Sequence, residues 1–122
     1  MLIAFWIVSG LVTLVFLAAG LMKVTRPKEA LVASGLEWTE DFTEPTVKVI
    51  GAAEVLGAIG IVLPALTGFA PILSPIAASA LALVMVGAIV VHVRRHENPA
   101  VNIVLLLLAV GSAVLGFVAL LG

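Results

Sequence analysis

Four long stretches of the chain are almost free of charge, and short polar segments separate them. Leu2–Met22 holds no charged side chain. Thr46–Leu63 carries Lys48 near its start and Glu54 inside an otherwise apolar run. Pro75–Val91, extendable back toward Pro71, and Ala100–Leu121 are uncharged. A helix needs roughly 20 apolar residues to cross a bilayer. The pattern therefore predicts an all-α integral membrane domain, with transmembrane helices at 2–22, 46–63, 73–92 and 100–121 in an up-down antiparallel bundle.

The boundaries have their own chemistry. Proline is tolerated in a first helical turn, where its missing N–H has no partner to lose, and Ser, Thr or Asn before it caps free N–H groups. Thr43-Glu44-Pro45, Ser74-Pro75 and Asn98-Pro99 show that arrangement, and Pro64 is expected to end the second span. The first span follows no basic segment and is long for a signal sequence, so it reads as retained. Residues 25–44 form an interfacial loop, in which Pro27–Ser34 makes a short helix stopped by Gly35. Trp38 and Phe42 lie there among Glu37, Glu40 and Asp41 and are expected to anchor at the headgroup level. The uncharged Pro64–Pro71 segment is expected to lie shallowly in the opposite interface.

Composition agrees with a membrane protein: 63% of residues are hydrophobic and 11% charged, against about a quarter charged in soluble domains. The 122 residues suit one domain. The absence of cysteine excludes disulfides, thiol redox chemistry and thiolate metal sites. A net charge of −1 with no basic tail excludes nucleic acid as an expected partner. All the basic residues fall in two loops or their flanks: Lys23, Arg26, Lys28 and Lys48 in the first, Arg94 and Arg95 in the third. The positive-inside rule then places loops 23–48 and 92–99 in the cytoplasm and both termini outside.

Glu54 is the outstanding position, because an ionised carboxylate in hydrocarbon is costly unless paired or protonated. In the predicted topology Lys23, Lys48, His92 and Asn102 all fall near the same end of the bundle. Glu54 lies six residues past Lys48, roughly 9 Å deeper at 1.5 Å per residue, within reach of a lysine stem. Helical spacing puts Ser9, Thr13, Phe16, Gly20 and Lys23 on one face, and Gly51, Glu54, Ala58 and Ile61 on another. Ala78, Met85, Ala88 and His92 share a third, and Asn102, Leu105, Ala109, Ser112 and Gly116 a fourth. Small residues let membrane helices approach, so Gly20, Gly51 and Gly57 are expected at packing contacts. The candidate intramembrane polar site is Glu54 with Lys23, His92, Asn102 and Lys48. It reads either as a register-fixing hydrogen-bond network or as a proton or headgroup site.

Other chemistry finds little support. His92 and His96 have a metal-ligand spacing, but His96 lies beyond Arg94-Arg95, outside the predicted helix, and no cysteine or carboxylate ligand accompanies them; no metal is expected. No second span offers a histidine for a bis-histidine haem. Gly57-Ala58-Ile59-Gly60 is helix packing, and no serine has an evident base partner.

Several of these residues also carry a resemblance. Ala19-Gly20-Leu21-Met22-Lys23 is followed by Val47-Lys48-Val49-Ile50-Gly51-Ala52-Ala53-Glu54-Val55-Leu56-Gly57, running on to Leu63-Pro64. Met85-Val86-Gly87-Ala88 through Val91-His92 comes next, and then Asn102 in the last helix. Together these resemble the DoxX-like family over nearly the whole chain. The resemblance implies a small four-helix protein of the bacterial or archaeal cytoplasmic membrane. Some relatives belong to quinone-linked thiosulfate oxidation or terminal oxidase systems, others to oxidoreductase complexes of oxidative-stress defence. It assigns no reaction to any matching position.

The expected function is that of a non-catalytic accessory subunit in a quinone-linked membrane redox system. Its expected partners are the lipid bilayer, a membrane oxidoreductase and further copies of itself. No intrinsic cofactor is expected; quinone or lipid is the expected ligand class. The alternatives are a small proton-coupled transporter using Glu54 and a structural membrane scaffold.

Overall fold

The computed structural model describes residues 1–121. Helix α1 spans Leu2–Thr25, α2 Lys28–Ala33, α3 Glu44–Thr67, α4 Leu73–Arg94 and α5 Ala100–Leu121, and a 3-10 turn occupies Glu37–Asp41. Helices α1, α3, α4 and α5 are long and apolar enough to cross a membrane. Their 22–24 residues rise about 33–36 Å, against a hydrocarbon core of about 30 Å.

The helix ends follow local chemistry. Nothing breaks α1 until Pro27, which forces Arg26 into an extended conformation (φ −100°, ψ 145°); α1 therefore outruns the expected end at Met22. Thr43 caps α3 by accepting the Thr46 N–H at 3.3 Å, with Pro45 in the first turn. Pro64 does not end this helix, contrary to the sequence expectation. It lies inside α3, and the stop is Gly68, whose left-handed conformation (φ 73°) directs its N–H to the Pro64 carbonyl at 3.0 Å. Proline removes only one bond, to Gly60, and such losses are tolerated in membrane helices. Ser74 is likewise no cap. Helix α4 begins one residue earlier, and the Ser74 hydroxyl is buried with no partner among the described residues.

The long helices form a ring in the order α1, α3, α4, α5, each packed on its two neighbours. Gly20 of α1 meets Gly51 and Val55 of α3, and Gly57 and Gly60 of α3 meet Leu81 and Ala77 of α4. Met85 and Pro75 of α4 meet Asn102 and Gly116 of α5. Ser9 of α1 shares a 2.7 Å hydrogen bond with Ser112 of α5. Rising numbers on one helix meet falling numbers on the next, so neighbours are antiparallel. Val12, Phe16, Ala58, Ile61, Ala78, Leu81, Met85 and Ala109 fill the centre. Ile7, Leu14, Leu56, Leu63, Leu83 and Leu107 point outward, a surface that matches lipid rather than water. Burial of apolar area adds little in such a solvent, and close packing of small residues holds the helices together instead.

Candidate functional site

The site begins where α1 crosses α3. A Cβ on Gly20 would lie 2.6 Å from the Gly51 carbonyl oxygen, and one on Gly51 2.8 Å from the Gly20 carbonyl oxygen. Only glycine permits that approach of two backbones. Three residues along each helix stand Lys23 and Glu54. Every Cα–Cβ bond in a helix tilts toward its N-terminus. In antiparallel helices that tilt aims Lys23 inward along the bundle and Glu54 back toward it. The two meet with Lys23 Nζ 2.5 Å from Glu54 Oε1. Both are buried: Lys23 is 8% exposed and Glu54 1%. Each therefore supplies the partner that makes the other's charge tolerable in hydrocarbon.

The pair forms one wall of a cavity of about 660 Å³ between the helices at this end of the bundle. That volume falls within the roughly 300–1,000 Å³ typical of small-molecule sites. Its other polar lining comes from His92, Asn98 and Asn102; the remainder is mostly aliphatic, including Phe16, Ile50, Met85, Ala88 and Leu105. Leu36, Trp38 and Phe42 of the α1–α3 connection line its outer end. Trp38 turns inward, its ring centroid 5.7 Å from Lys23 Nζ and its edge against Phe42. The sequence reading placed Trp38 at the headgroup level. A buried cation in reach of its π face, worth about 0.5–2 kcal/mol, gives the ring a stronger reason to face in.

Facing the ion pair across the ring is a second polar wall, on α4 and α5. His92 Nδ1 lies 2.9 Å from Glu97 Oε1, and Asn102 donates weakly to Met85 Sδ at 3.7 Å. Glu97 also accepts from Arg95 Nε at 3.2 Å, and Arg95 donates to Asp41 Oδ2 at 2.6 Å. This chain of contacts ties the aromatic cap to the end of α4. Burial pushes the Glu97 carboxyl up, but the bonds from Arg95 and His92 outweigh it and hold the carboxyl below its ordinary range. The bonds to Asp41 and then Glu97 hold the Arg95 guanidinium above its own.

Of the five predicted site residues, Lys23, Glu54, His92 and Asn102 line the one cavity. Only Lys23 touches Glu54 directly. Lys48 is not brought there, which corrects its placement in the site: its Nζ donates to the Val24 carbonyl at 2.9 Å, where α1 presents unpaired carbonyls. Gly57 packs on the Leu81 side chain, a softer contact than the Gly20–Gly51 crossing. His96 stands outside α4 with φ 57°. Sequence reasoning missed Asn98, the Glu97–Arg95–Asp41 link and the inward Trp38. Asp41 and Arg95 lie too far apart in sequence for spacing to pair them. The one signal was a carboxylate, Glu97, following His92 just past the helix end.

Four apolar helices closed around a buried ion pair define a multi-pass membrane protein, with the lipid bilayer as its surroundings. Residues 7–120 match the DoxX-like family, and the chain belongs to that family. A search of curated proteins and a search of solved structures returned no match.

Proposed function

We propose that this chain is a non-catalytic membrane subunit that holds the headgroup of a quinone for an oxidoreductase partner. The observation that carries the reading is the cavity with an ion-paired wall, Lys23–Glu54, and a second polar wall, His92–Asn102, beneath an aromatic cap. Lys23 has three N–H donors and gives one to Glu54, so the others suit a carbonyl oxygen. Among the described residues no donor reaches Glu54 Oε2, which suits a hydroxyl. Glu97 occupies His92 Nδ1, so Nε2 is the ring nitrogen left for a ligand oxygen. Nε2 can then meet a second oxygen, accepting from a hydroxyl or donating to a carbonyl according to the tautomer. Together these groups fit a small ring bearing oxygens on opposite edges, in either of its redox states. A quinone would supply two-electron chemistry that the short loops and cysteine-free chain leave to a partner. All six Lys and Arg residues sit toward the site end, which supports a cytoplasmic placement of that end.

The test uses Trp38 as its own reporter. In a Trp6→Phe background Trp38 is the sole tryptophan, and the protein in lipid nanodiscs is titrated with a benzoquinone. Saturable quenching is expected. Quenching that rises linearly with quinone, as for collisions in lipid, overturns the reading.

A further inference from the structure

We infer that the cavity is loaded sideways from the bilayer, through a mouth between α1 and α5, and that its ligand carries an apolar tail lying in that mouth. The inference rests on the cavity being a binding site and adds the route and the second half of the ligand.

The helices define the mouth. Ser9 and Ser112 pin α1 to α5 in the far half of the bundle, where Gly116 also packs on Phe5. Toward the Lys23 end the cavity lies between these two helices, with Val15 on α1 and Val101 on α5 in its wall. The same two residues belong to the outer surface, 40% and 70% exposed. Gly87 on α4 and Asn98 beyond its end are also exposed wall positions, but Val15 and Val101 are the apolar side chains that are both cavity wall and lipid-facing surface, and they mark an apolar opening. The opposite route, from water, runs into Trp38 and Phe42, and Arg95 fastens their segment through Asp41. Neither Val15 nor Val101 offers a wholly polar ligand a hydrogen bond. A ligand with a polar ring and a hydrocarbon chain satisfies both parts, with its ring at Lys23–Glu54 and its chain passing between Val15 and Val101 into lipid.

Trp38 quenching in the Trp6→Phe background tests this with two probes, a benzoquinone without a tail and the same ring with a decyl tail, each quantified per mole of lipid. In the unaltered mouth the tailed ring is expected to bind at least as tightly as the tailless one. Val15→Phe with Val101→Phe, which keeps Trp38 the sole tryptophan, is expected to weaken the tailed ring about tenfold or more relative to the tailless one, as overpacking of the tail's path does. Val114→Phe, a lipid-facing change on α5 outside the cavity, should alter neither. Tailless binding also reports that each variant is folded. A decyl tail that abolishes binding to the unaltered mouth overturns the inference, as does equal binding of both probes to the filled mouth. In both cases saturable tailless binding leaves the proposed function standing. Failure of both probes to bind saturably overturns both.

Discussion

Gly20 and Gly51 meet backbone to backbone three residues before Lys23 and Glu54 on their respective helices. The charged pair therefore depends on two residues that have no side chains. Gly20→Ala and Gly51→Ala each place a methyl against a carbonyl oxygen that cannot swing away. Each is expected to cost about 1–3 kcal/mol of stability, as overpacking typically does. Gly10→Ala meets nothing within 4 Å and should be neutral. Unfolding in mixed micelles, compared across the three variants, checks the contrast; equal effects would show that the crossing is not tight.

The ion pair should show strong coupling. Removing one partner of a buried pair typically costs about 3–5 kcal/mol, whereas replacing both by apolar residues is often neutral. Lys23→Met leaves a short carboxylate with no way out. Glu54→Leu leaves a lysine whose long stem can carry its charge toward the interface. The first should therefore be the more destabilising, and the double variant should recover most of the loss. A thermal-melt double-mutant cycle measures this, and additive losses would contradict it.

The cap latch should respond to acid. Burial raises the Glu97 carboxyl, but Arg95 and His92 hold it below its ordinary range. A group depressed on folding contributes stability above its unfolded pKa and loses it as pH falls through the folded one. The latch is therefore intact at neutral pH and is released only as pH falls below the ordinary carboxylate range, through the depressed pKa of folded Glu97. Amide exchange in residues 37–42 should accelerate in that window, and Glu97→Gln should show fast exchange already at pH 7. Unchanged exchange in Glu97→Gln would remove the latch.

Because the chain has no cysteine, single cysteines can map its orientation without background. Glu29→Cys and Phe69→Cys lie in exposed connections at opposite ends. In intact cells an impermeant maleimide is expected to label position 69 and spare position 29. The reverse pattern would invert the proposed topology.

Much of this was legible in the sequence for a simple reason. Lipid demands long uncharged helices, and their lengths and proline or cap signals appear residue by residue. The inward stripe through Gly20, Lys23, Gly51 and Glu54 follows from helical period alone. What could not be read was anything set by chain ends meeting in space. Pro64 looked like a stop because soluble rules penalise it, while Gly68 held the real one. Lys48 and Lys23 were equivalent candidates by reach, and only the Cα–Cβ tilt of each helix separates them. On α3 that tilt turns Lys48 outward toward the end of α1, whereas on α1 it turns Lys23 inward. The cap depends on Asp41 meeting Arg95, a contact across two loops that no local pattern encodes.

The central claim is that the Lys23–Glu54 pair serves a ligand and not only the fold. The Lys23→Met, Glu54→Leu double variant separates the two, because it removes the charges while retaining the packing. Its melting and its quinone titration, both in the Trp6→Phe background, constitute the decisive measurement. A melting temperature near that of the unaltered pair together with loss of saturable Trp38 quenching is the predicted result. Saturable quenching that persists unchanged in the double variant would contradict the account.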